Sequence, residues 1–192
     1  MGASSVQQTL TELVARIGEN LSVRRTIALA VNPGVVSAYV HNASSPELGK
    51  IGVLVALRST ADKAKLSALG RQIAMHVAAA APLALTPAHL DKDVVARERA
   101  IQTDIARQSG KPDNVIEKMM EGRMRKFYEE TALLHQTFVI DGETRVEKVM
   151  EKASKDFGTL VEIAGFVRFQ VGEGIEKTDS DFADEVKQMA GH

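Results

Sequence analysis

The chain contains no cysteine. Disulfide frameworks, thiolate zinc sites and cysteine nucleophiles are therefore excluded, and a reducing compartment is a fitting setting. It also has no tryptophan, and aromatic residues make up 4% of its 192 residues. So few rings argue against a stacking platform for nucleic-acid bases. Neither sign of charge prevails: 24 Lys and Arg stand against 25 Asp and Glu, a net charge of −1. That balance argues against a general nucleic-acid binder or a polybasic membrane-surface protein, while leaving room for a local basic patch. The longest apolar stretch, Ile73 to Leu85, is interrupted by His76 and Pro82. It is shorter than the about 20 residues a membrane-spanning helix needs. Residues 1–8 lack the charged-then-apolar pattern of a signal peptide. The expectation is a soluble, cytoplasmic, globular protein with one real core or two small ones.

What is present is periodic. Leu10, Leu13, Val14 and Ile17 recur at helical spacing, and Gly18 follows as a helix cap would, so an amphipathic core helix is expected here. Thr26–Val31, Val35–Val40 and Ile51–Leu57 read as three strands of an antiparallel meander, with Asn32-Pro33-Gly34 as a turn and 42–50 as a loop. Thr60 to Ala81 reads as a helix ended by Pro82, with an alanine run at 78–81 suited to close packing on a sheet. From Asp91 to Leu134 the chain is rich in interleaved charge, with one loop signal at Ser109-Gly110-Lys111-Pro112. A sparse stripe (Val94, Ile101, Ile105) precedes that signal and a denser one (Val115, Ile116, Met119, Met120, Met124, Phe127, Tyr128) follows it, which predicts a helical hairpin. A short helix over 146–153, a strand over 160–171 and a last helix carrying Phe182, Val186 and Met189 complete the pattern. The fold class is α+β: a small antiparallel sheet of three to four strands packed with helices, plus a protruding helical hairpin.

A search for chemistry finds little. The five histidines, His41, His76, His89, His135 and His192, never pair at i, i+4 with a third ligand nearby, so no metal is expected. His76 reads as a packed histidine, His41 as an exposed strand end, and His89 and His135 as flanking the base of the hairpin. There is no Gly-x-Ser-x-Gly elbow and no Walker lysine. Gly172-Glu173-Gly174 opens like a dinucleotide loop but lacks the third glycine, and Glu173 would repel phosphate. The carboxylates are interleaved with cations at helical spacing, as around Glu117, Glu121 and Arg125, and no acid–base dyad stands apart. No catalytic residue and no cofactor is expected. The residues describe a shape suited to binding another protein.

Several stretches together resemble bacterial translation elongation factor Ts. They are LVARIGEN at 13–20, VRR at 23–25, AYVH at 38–41, IGVLV at 51–55, IAMH at 73–76, QSGKP at 108–112, EKMMEGRM at 117–124 and GFVRFQVGEGIEK at 165–177. The resemblance implies a guanine-nucleotide exchange factor that acts by binding elongation factor Tu, without covalent chemistry. It also implies a division into an N-terminal helix (1–18), a core sheet subdomain (19–90 with 134–171), a coiled-coil insertion (91–133) and a C-terminal helical module (172–192).

By the same resemblance, Ile17, Gly18, Glu19, Asn20 and His41 would face the partner's third domain. Phe182, Val186 and Met189 would dock on its GTPase domain. Each has a plainer reading: Gly18 as a helix cap, His41 as a strand-end residue, the last helix as folding back on the chain's own core. The family's N-terminal helical module and its Thr-Asp-Phe-Val segment have no counterpart here; Asp181-Phe182 matches the C-terminal helix instead. The chain thus corresponds to the C-terminal part of such a factor, either cut from a longer chain or naturally shortened, with Met1-Gly2 favouring the former. The expectation is binding of elongation factor Tu with impaired exchange; the alternative is a scaffolding module of the same fold. Self-association through an exposed core face is also expected.

Overall fold

The computed structural model describes residues 5–45, 47–108 and 110–174. Helix α1 (Val6–Ile17) starts on a capping box, in which the Ser5 hydroxyl accepts from the Gln8 N–H and the Gln8 side chain accepts from the Ser5 N–H. None of its residues is buried, contrary to the core helix its periodicity predicts. Its apolar stripe borders a shallow cavity shared with Val23. An apolar period specifies a face but not what covers it.

Strands β1 (Gly34–Ser45), β2 (Leu48–Arg58) and β3 (Glu162–Gln170) form one antiparallel sheet in the order β1-β2-β3. Two expectations are corrected here. Residues 42–50 are not a loop: β1 and β2 continue as a long hairpin, with pairing out to Ser45 and Leu48. Thr26–Val31 is not a strand, and the third strand comes from the C-terminal part of the chain. An apolar, β-branched run predicts an extended segment but not a lateral partner. Here the segment lies over one sheet face: Thr26 and Ile27 line a cavity with Ala38, Leu54, Val167 and Phe169.

The other face carries helix α2 (Lys63–Ala80), capped by Asp62, whose carboxylate accepts from the Lys65 N–H. Leu66, Ile73 and Val77 of α2 meet Val53, Val55 and Leu57 of β2, all 0–2% exposed. At about 1.5–3 kcal/mol for each such side chain, this layer is the main source of stability. Gly70 lets the layers close. A Cβ there would stand 2.4 Å from Ser37 Oγ and 2.9 Å from Ser37 Cβ.

Helices α3 (Lys92–Gln108) and α4 (Asp113–Thr131) form the expected hairpin, with a separate core of Ala106, Ile116, Met120 and Met124. Ile101 and Ile105 are exposed at 47% and 46%. The seam on α3 runs instead through Gln102, Thr103 and Ala106. Gln102 accepts from Arg123 at 2.7 Å, and Thr103 Oγ1 lies 3.7 Å from Met120 Sδ. Small and polar residues allow the helices to approach where isoleucines would hold them apart. At the hairpin base, Leu83 donates to Thr131 O and Leu133 to Ala84 O, each at 2.8 Å. Short 3-10 turns carrying His89 and His135 flank it. Helix α5 (Val146–Phe157) adds Val146, Met150 and Ala153 to the main core and leads into β3.

Candidate functional site

Helix α1 ends at Ile17, which is 53% exposed. Gly18 follows in the left-handed conformation (φ 78°) and donates to Val14 O at 2.9 Å. A Cβ at Gly18 would meet nothing within 4 Å. The glycine is required by its backbone angle, and the surface around it is open. Glu19 and Asn20 are exposed, and Asn20 borders a cavity with Gly49, Lys50 and Gln170 at one end of the sheet.

The same cavity leads to an arginine cluster that sequence reasoning left without a role. The Arg24 guanidinium donates to Glu173 O at 2.6 Å. Arg25 stacks 4.7 Å from the centroid of Phe169 and pairs with Glu173 Oε2 at 3.1 Å. Arg168 pairs with Glu173 Oε1 at 3.3 Å. Strand alternation puts Phe169 and Arg168 on opposite faces of β3, which is an edge strand. Glu173, just past the end of that strand, therefore joins two arginines from opposite faces of the sheet. Its charge, which speaks against phosphate, is used by these two cations. The only sequence signal was the pair of motifs VRR and GFVRFQVGEG, 148 residues apart at their contact.

His41 lies on β1, exposed, on the face that carries α2. Its Nδ1 is 3.1 Å from Tyr39 Oη. Gly49 packs against its backbone: a Cβ there would stand 2.7 Å from His41 O. Asn20 and His41 thus both border Gly49, at one end of the sheet but from opposite faces, while Ile17 and Gly18 are further back along the chain on α1. Phe182, Val186 and Met189, with the C-terminal helix, lie outside the described residues.

Elsewhere, His76 is fully buried and held neutral: burial pushes its pKa down, against a smaller upward pull from its hydrogen bond to Gln136. Among the described residues no cluster of three or more His, Asp or Glu could hold a metal ion, and no helix is long and apolar enough to cross a membrane.

The family model for "Elongation factor TS" matches residues 1–173. Elongation factor Ts of Rhodospirillum rubrum is 59% identical over 182 residues, covering 95% of this chain and 59% of that protein. The Rhodospirillum centenum factor is 57% identical over 187 residues, covering 97% and 61%. That of Sphingopyxis alaskensis is 56% identical over 187 residues, with the same coverage. The chain spans about 60% of the length of the curated relatives it matches. A match over nearly the whole chain at this identity makes this chain a member of the elongation factor Ts family.

Proposed function

We propose that this chain binds elongation factor Tu in the cytoplasm and takes part in guanine-nucleotide exchange by protein binding, without chemistry of its own. The observation that carries this reading is the meeting of VRR with GFVRFQVGEG around Glu173, with Asn20 on the same cavity and His41 beside Gly49 on the opposite face, in a chain of this family. Ile17, Gly18, Glu19, Asn20 and His41 are the anchoring residues of the proposal, with Phe182, Val186 and Met189 as its second contact. Exchange by such a factor is reciprocal coupling: a protein that prefers the nucleotide-free partner weakens nucleotide by the same factor that nucleotide weakens it. Such coupling needs an anchor and a group that disturbs the nucleotide site. The Thr-Asp-Phe-Val segment to which the resemblance assigns the second task has no counterpart in these 192 residues. The reading is therefore an anchor with weak exchange. In the same proposal 19–90 with 134–171 is the anchoring core, 91–133 a coiled-coil insertion and 172–192 a second contact module.

Release of fluorescent GDP from elongation factor Tu tests this. The expected result is little acceleration by this chain alone, together with competition against a complete factor. Neither acceleration nor competition would sink the reading. Strong acceleration would leave the binding reading intact and overturn the weak-exchange part.

A second partner is proposed from the sheet itself. Opposite α2, the rows Val36–Ala56–Gly165, Ala38–Leu54–Val167 and Val40–Gly52–Phe169 carry no charge and no polar side chain. Arg25, Thr26 and Ile27 border this face, and Ala38 is left exposed on it. The three rows are apolar and the one bordering cation, Arg25, is already paired with Glu173, so this face meets a copy of itself with little like-charge repulsion, and a second copy of this chain is the proposed occupant.

A further inference from the structure

We propose that Tyr39 is a positioning residue for His41: its hydroxyl donates to Nδ1 of the imidazole and so turns a protonated Nε2 outward as a hydrogen-bond donor to an oxygen acceptor on the protein partner. The inference rests on the reading of His41 as a partner contact and extends it to a neighbour with no assigned role.

Tyr39 and His41 are two residues apart on β1, so their side chains leave the same face. Tyr39 Oη and His41 Nδ1 are 3.1 Å apart, and the ring centroids 6.0 Å apart at a 43° tilt. The tyrosine is anchored: it is half-buried, packs on the main core, and has the Arg71 guanidinium 5.9 Å from its ring centroid. The histidine is exposed, and no other hydrogen bond of its ring is seen among the described residues. A fixed group therefore holds a free one. A phenol is a good donor and, with its lone pair drawn into the ring, a poor acceptor. The unprotonated nitrogen of a neutral imidazole is a strong acceptor. The hydrogen bond therefore runs from Tyr39 Oη–H to His41 Nδ1, and the ring proton goes to Nε2. Holding the ring and its tautomer before contact removes part of the ordering cost at binding. The matching group on the partner is a backbone carbonyl, a side-chain amide oxygen or a carboxylate.

The test uses the intact chain and elongation factor Tu. Long-range 1H–15N correlation on histidine-labelled protein, at about pH 8 where histidine is ordinarily neutral, reads the tautomer of His41 directly. The expected wild-type pattern is protonated Nε2 and acceptor Nδ1, and Tyr39→Phe shifts it toward a mixture. In binding, Tyr39→Phe weakens affinity about three- to tenfold, the worth of one hydrogen bond. In a His41→Ala background the same change does nothing further, a coupling that a merely structural tyrosine would not show. Unchanged ring shifts in Tyr39→Phe, or an equal loss in both backgrounds, overturns the positioning role alone. His41→Ala without effect on affinity removes the contact reading and the inference with it.

Discussion

His76 Nε2 and Gln136 Oε1 lie 2.9 Å apart, and both side chains are fully used. His76 Nδ1 accepts from the Val139 N–H at 3.2 Å, so Nε2 carries the proton and donates to Gln136. The Gln136 amide then donates to Glu130 O at 2.7 Å and Ala80 O at 3.3 Å. One buried glutamine thereby ties the end of α2 to the end of α4, where the hairpin leaves the body.

This arrangement makes stability depend on pH. Burial disfavours the charged imidazole, and a proton on Nδ1 would also face the Val139 N–H, so the folded pKa falls below the unfolded value of about 6.5. Below that value the unfolded chain binds more protons than the folded one, and stability rises with pH. The contribution of His76 is thus complete above about pH 6.5 and is lost as pH falls through the unfolded value toward the folded one. The urea midpoint is expected to drop between about pH 7.5 and 5.5 in the wild type, and less in His76→Gln. Asp141, held charged by the Glu143 and Thr144 N–H groups, is shifted down from the ordinary carboxylate range, so it acts only in more acid solution. Parallel midpoint curves for the two proteins would refute the assignment.

Gly70 gives a second stability prediction. Its absent Cβ is the reason α2 approaches β1 so closely, with Ser37 Oγ donating to Ser67 O at 3.3 Å. Gly70→Ala is expected to destabilise the fold by about 1–3 kcal/mol, because overpacking outweighs the gain in helix propensity. Thermal melting decides it. A gain in stability would mean that Ser37 can move aside.

How much of this was legible beforehand differs by element. Helices α2, α4 and α5 and the strand around Arg168 follow from periodicity, because each buries a face of its own apolar residues. The α3 seam was not legible, because it is built from Gln102, Thr103 and Ala106 while the isoleucines face outward. The extended segment at 26–31 looked like a strand because its residues are those of one, yet Arg24 and Arg25 hold it against β3 through side chains. Of the site, Gly18 was legible as a cap and His41 as exposed, but His41 is not a strand end: it pairs with Ile51 inside β1, which runs on to Ser45. The Glu173 cluster was not legible, since no local pattern joins residues 148 positions apart.

That cluster should matter locally and little globally. Its groups are partly exposed, with Glu173 and Arg25 side chains at 42% and 48%, so water screens their attraction. Glu173→Ala is expected to change global stability by less than about 1 kcal/mol. Amide exchange is expected to speed up across 24–29 and at the end of β3, with the centre of β2 unaffected. Unchanged exchange in 24–29 would mean that Arg24, through its bond to the Glu173 carbonyl, holds the segment by itself.

The apolar sheet face gives the prediction on association. Ala38 is exposed in the middle row with Leu54 and Val167, away from the α2 core. A carboxylate placed there stays solvated in the monomer, so Ala38→Glu should melt within about 1 kcal/mol of the wild type. In a stacked pair, the faces of two sheets are about 10 Å apart and water is excluded between them. Two glutamates would then lose hydration, and Arg25, the cation that borders these rows, is already paired with Glu173. Sedimentation velocity over a range of concentrations is expected to show wild-type self-association that Ala38→Glu abolishes. A wild type that remains monomeric at the highest concentration would show that this face has no affinity for its own copy. A variant that associates as well as the wild type would move the contact to another surface, with the exposed isoleucines of α3 the next to be charged.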